Sequence, residues 1–136
     1  MNYASTRDSL VAAVNTYMAA NQAAVPVFYE NAVIPDLDNV PAPLLRVVVE
    51  FHSATQADIS VTPVTRIGGT LSLVVLDREG EGTRASLAIG DGLAAALAYK
   101  NLSGVQTSSL YPGHSETHDG WHMQEFLIDF WTHSTA

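Results

Sequence analysis

The sequence predicts an α+β fold in a single domain, a mostly antiparallel (mixed) β-sheet with two α-helices packed against it. Two segments repeat apolar residues at helical spacing, and the segments between and after them alternate apolar and polar residues with a period of two. The elements run helix, several strands, helix, two strands, which segregates helices from strands where a doubly wound α/β chain would alternate them. A chain of 136 residues fits one such domain and buries enough surface to hold a core without staples.

The first helix starts at Ser5-Thr6-Arg7-Asp8, where Ser5 is placed to cap and Asp8 favours the positive end of the helix dipole. Leu10, Val14, Tyr17 and Met18 form its apolar stripe, and Asn21 followed by Pro26 ends it. Val25 to Glu30 reads as a short extended edge segment, and the prolines of Asn31 to Pro43 make that stretch a long surface connection. Leu44 to His52 is a half-buried strand with Val47, Val49 and Phe51 on one face. Ile59 to Thr65 is β-prone, and Arg66 to Thr70 leads into a strand over Leu71 to Asp77, with a bulge or bend expected at Gly68-Gly69. After the turn Glu79 to Thr83, a second helix is expected over Arg84 to Lys100, with Thr83 as its cap. Its Gly90 and Gly92 would let it lie close on the sheet. Val105 to Leu110 reads as a strand, Tyr111 to Gly120 as a polar loop and Trp121 to Thr132 as a long final strand.

Composition narrows the function classes. With 47% apolar residues the chain is no disordered tail, and 15% charged residues leave its surface poor in charge. Six Lys and Arg against 14 Asp and Glu give a net charge of −8, which argues against a duplex-binding groove built on counterion release. The absence of cysteine removes disulfides, thiolate metal sites and cysteine nucleophiles. Met1 to Asp8 has no basic stretch leading into an apolar run, and nothing approaches the roughly 20 apolar residues of a spanning helix. Neither a secretory signal nor a membrane partner is expected.

Three histidines, His114, His118 and His122, recur at a spacing that would stack imidazoles on one face of a helix, a zinc-like arrangement. Pro112-Gly113 and Gly120 argue against a helix there, so no metal or other cofactor is expected, and these three remain the only candidate ligands. No Gly-x-Ser-x-Gly elbow surrounds a serine. Gly80-Glu-Gly82 is flanked by acids that would repel a phosphate, and no catalytic residue is assigned. On the last strand Phe126, Ile128 and Phe130 share a core face. The opposite face carries Trp121, Met123, Leu127 and Trp131 beside Glu125 and Asp129, too apolar for plain solvent. Trp121, Leu127 and Trp131, with Phe28 and Tyr29 on the edge segment, are the candidate residues for an interface with other subunits.

Two long stretches carry a resemblance: VPVFYENAVIPDLDNVPAPLLRVVVEF after the first helix, and RIGGTLSLVVLDREGEGTRASLAIGDGLAAAL ahead of the last strands. In order and spacing the chain resembles the tail terminator-like proteins of long-tailed bacteriophages. The resemblance implies a non-enzymatic virion protein of the tail or neck, assembled in the host cytoplasm as a homo-oligomer, a hexameric ring. Such a ring caps the tail tube, stops polymerisation of the major tail tube protein and offers the surface that joins head-tail connector and neck proteins. DNA would pass through it without specific binding, and an acidic lumen repels phosphate. The alternatives are a neck tail-completion or connector protein of the same fold, a His-based metal-binding protein or hydrolase, and a monomeric ligand-binding module.

Overall fold

The computed structural model describes residues 2–30, 40–58, 63–80 and 82–135. Helix α1 spans Tyr3–Asn21 and begins one turn earlier than Ser5 suggests. Its cap is Asn2, whose side chain accepts from the Ser5 N–H at 2.8 Å while the Asn2 N–H donates to Ser5 Oγ at 2.9 Å. Ser5 is therefore the third helical residue of a capping box. Leu10, Val14 and Met18 are buried at the expected spacing.

Six strands follow. They are β1 (Val27–Tyr29), β2 (Leu44–Gln56), β3 (Val64–Arg78), β4 (Asn101–Leu102), β5 (Val105–His118) and β6 (Trp121–Thr135), with helix α2 (Arg84–Leu97) between β3 and β4. They form one sheet in the order β1-β2-β3-β6-β5-β4. The β1–β2 pair is parallel and the others are antiparallel. The fold class is corrected on its sheet. Strand makes up 51% of the described residues and helix 28%, and the sheet is mixed and curled, an arrangement consistent with α+β. The main strands run beyond their expected bounds, to 13 to 15 residues in β2, β3, β5 and β6.

Individual elements shift for physical reasons. The segment Tyr111 to Gly120, expected as a loop, is the second half of β5 and its turn. Polar residues are at home there because this half of the strand is exposed throughout. Asp119 and Gly120 both have positive φ, 50° and 82°, and close a two-residue hairpin that pairs His118 with Trp121. Gly68 and Gly69 do not bulge themselves. The irregularity lies opposite them on β2, between Phe51 and Ser53. Helix α2 stops at Leu97, short of Lys100, where Thr107 Oγ1 on β5 donates to the Leu97 carbonyl at 2.5 Å. Thr83 sits at its N-cap without a side-chain hydrogen bond. Of the Pro-rich connection Asn31 to Pro43, only Val40 to Pro43 falls within the described residues. Residues 59–62 of the β-prone Ile59 to Thr65 stretch, Met1 and Glu81 also lie outside them.

Both helices pack on one face of the sheet. Leu10, Val14 and Met18 of α1 and Ile89, Leu93 and Leu97 of α2 share a core with Leu45, Val47, Leu71, Leu73, Val75, Phe126, Ile128 and Phe130. Since side chains alternate along a strand, the even-numbered residues of β3 and the odd-numbered residues of β6 turn to the other face. Among the described residues, no helix covers that outer face.

Candidate functional site

The uncovered face is a lattice set by strand register. One row crosses the sheet as Arg46, Val74 and Glu125, the next as Val48, Ser72, Leu127 and Tyr111, and a third as Glu50, Thr70 and Asp129. Polar contacts tie these rows together. Thr70 Oγ1 donates to Asp129 Oδ1 at 3.2 Å and lies 2.9 Å from His52 Nε2, while the Tyr111 hydroxyl donates to the same Asp129 oxygen at 3.0 Å. Ser72 Oγ and the His114 N–H each donate to Glu125, at 3.0 and 3.2 Å. Both carboxylates are therefore held by neutral donors. Neither has an ion-pair partner among the described residues.

The two tryptophans of β6 have different surroundings. Trp121 is 8% exposed and forms a second small core with Val40 and Leu44, against which Phe28 and Leu76 pack. The Arg78 guanidinium lies 4.0 Å from the Trp121 ring centroid. This corrects the reading of Trp121 as a free interface residue: its ring is already enclosed within the chain. Trp131 is half-buried, with Arg66 4.3 Å over its ring and His133 beside it. Leu127 is half-buried on the same face. Phe28 and Tyr29 stand on the edge strand and point to opposite faces, Phe28 toward Trp121 and Tyr29 toward α1, where its hydroxyl donates to Asn15. Burial raises the Tyr29 phenol above its ordinary value, with Arg7 opposing and Glu30 adding to the shift.

The three histidines do not converge. His114 Nε2 pairs with Glu116 at 2.9 Å, His118 Nε2 with Asp119 at 3.0 Å, and His122 Nδ1 with Thr117 Oγ1 at 3.2 Å. His114 and His118 lie on β5 and His122 lies on β6. Among the described residues no group of three His, Asp or Glu side chains is arranged to hold a metal ion. The hydrogen bond from His114, and then its charge, lowers the Glu116 carboxyl below its ordinary value.

No family model matches the chain, and no curated protein matches it. A solved structure does share its fold. It superposes with a TM-score of 0.65 over 93% of this chain and 94% of its own, at 19% identity. That likeness is one of architecture and extends along nearly the whole chain.

A groove of about 510 Å³ runs between α1 and the end of α2, lined by residues such as Ala12, Ala13, Thr16, Tyr17 and Ala96. Apart from the Tyr17 phenol its lining brings no ionisable group, and its other polar groups are the hydroxyls and amides of Ser9, Thr16, Asn21, Asn101 and Ser103. No described helix is long and apolar enough to cross a membrane. The sequence alone does not place Tyr111 and Arg66 on the outer face, because Pro112-Gly113 makes Tyr111 look like loop and Gly68-Gly69 sets Arg66 apart from the alternating strand. The signal for the first is Asp119-Gly120, a hairpin dipeptide directly ahead of the alternating final strand.

Proposed function

We propose that this chain is a structural subunit of the tail terminator type, which closes into a homo-hexameric ring, caps a tail tube and offers the opposite surface to the neck. The observation that supports this reading is the outer sheet face, where half-buried Leu127 and Trp131 lie among hydroxyl and carboxylate groups with no second layer over them among the described residues. A sheet packed on one face, with half-buried apolar side chains among polar ones on the other, fits a subunit whose second layer comes from a neighbour. On this reading the outer face docks on the last ring of tube subunits. Closed symmetry then fixes the stoichiometry, since a head-to-tail contact that closes makes a ring and one that does not makes a filament.

The test is the solution mass by light scattering over a concentration series at moderate salt. A mass of six 14.5 kDa chains supports the ring. A monomer at every concentration, with no change when the tube protein is added, overturns it.

A further inference from the structure

The sheet ends in two open edges, and their positions match. On one side, β4 pairs only with Val105 and Gln106, and the last backbone contact beyond them is Tyr99 N–H to the Ser108 carbonyl. Among the described residues, Ser109 to His118 has no strand on its outer side, and Tyr111 to His118 is exposed throughout. On the other side stands β1, three residues long and with no strand beyond it among the described residues. Open edges are templates for another chain unless something blunts them.

Level, sense and charge all suit a joint between these edges. Val27 shares one row with Ser115, passing through Leu45, Val75 and Gln124. The chain directions of the pairs make β1 antiparallel to β5, so a neighbouring copy rotated about a ring axis brings its β1 antiparallel to the β5 edge of the first. Each copy carries a net charge of −8, so copies meet at least cost where one side is neutral. From Ser9 to Tyr29 the chain has no charged residue, and the β5 edge supplies the other side.

The peptide groups that would pair can be named. Leu45 N–H donates to the Pro26 carbonyl and Glu30 N–H to the Val47 carbonyl. Residues 26, 28 and 30 therefore face β2, and Val27 and Tyr29 turn their peptide groups outward. The two-residue turn makes His118 and Trp121 a hydrogen-bonded pair, so Thr117 and Ser115 turn theirs away from β6. Pro112 has no N–H to offer. The usable edge is thus a short one below it, in keeping with a three-residue partner.

We infer that β1 of one copy adds to the Ser115–His118 edge of the next, making the sheet continuous around the ring. This rests on the ring reading and identifies its joint. Amide hydrogen exchange of the full chain, measured above and below the assembly concentration, tests it together with Thr117→Pro. That substitution removes an outward donor on an edge that tolerates proline, and circular dichroism checks the fold of the variant. Expected are about tenfold slower exchange at Val27, Tyr29, Ser115 and Thr117 in the assembled wild type, and a folded monomer for Thr117→Pro. An assembled ring in which these amides exchange as in the monomer overturns the joint and leaves the ring standing. The same holds for a folded Thr117→Pro chain that assembles like wild type. A wild type that never assembles removes both.

Discussion

Gly69 on β3 lies against the Glu50 carbonyl of β2 so closely that a Cβ at this position would collide with it, and the same Cβ would stand 2.8 Å from Phe130 Cζ. The glycine faces the irregularity on β2 between Phe51 and Ser53. It lets two backbones and an aromatic ring meet where the curled sheet needs them. Backbone cannot yield as a flexible side chain can. Gly69→Ala is therefore expected to cost at least the roughly 1–3 kcal/mol typical of overpacking, read as a lower urea midpoint. An alanine variant of wild-type stability would mean that β2 moves aside freely.

Trp121 and Trp131 separate a fold residue from a surface residue. Trp121 is enclosed with Val40 and Leu44, so Trp121→Ala should lose about 3–5 kcal/mol, the range for large aromatic truncations in cores. Trp131 rests half-buried under Arg66. Trp131→Asp should keep the native circular dichroism spectrum and the assembled mass. Its loss should appear when tube subunits polymerise in its presence: by electron microscopy the tubes grow past the length at which wild type caps them. A Trp131→Asp chain that unfolds would place this ring with the core.

The start of α1 carries a smaller, local prediction. Asn2 holds the Ser5 N–H, and Ser5 returns a hydrogen bond to the Asn2 N–H. Asn2→Ala should cost about 1 kcal/mol and fray the first turn, visible as faster amide exchange there. Ser5→Ala removes the reciprocal half and should cost less.

How much of this could be read from the sequence depends on what each signal measures. The Leu10, Val14, Met18 stripe placed α1 because a helix buries one face and its period shows directly. The Phe126, Ile128, Phe130 face of β6 was legible for the same reason, with a period of two. The lower half of β5 was not. There both faces of the strand are exposed, so polar residues gave no alternation, and Pro112-Gly113 looked like a break when it marks a register shift between Pro112 and Ser115. Trp121 was misplaced because strand parity assigns a face but not its cover. The small core that encloses it is built by Val40, Leu44 and Phe28 from distant parts of the chain. The cap of α1 was off by three residues because Asn2 and Ser5 are both good capping residues, and only geometry shows which of them leads.

Tyr111 and Asp129 make the outer face sensitive to alkaline pH. Partial burial raises the Tyr111 phenol above its ordinary value of 10.0, and the hydrogen bond to Asp129 and the charges of Asp129 and Glu125 add to the shift. The folded chain thus holds the phenol proton more tightly than the unfolded chain does. The resulting stability, small because the phenol is exposed and its charges are screened by solvent, is fully present below pH 10.0 and is lost as pH rises through the folded value. Asp129→Asn removes the charge and leaves an acceptor for the hydroxyl, so it should bring the phenol back toward 10.0. Tyr111→Phe should remove its share of the ultraviolet phenolate titration and flatten the alkaline fall in stability. Difference absorbance at the phenolate band, taken on wild type and both variants, reads each effect. An Asp129→Asn chain whose Tyr111 titrates as in wild type would show that burial, not the carboxylate, sets the shift.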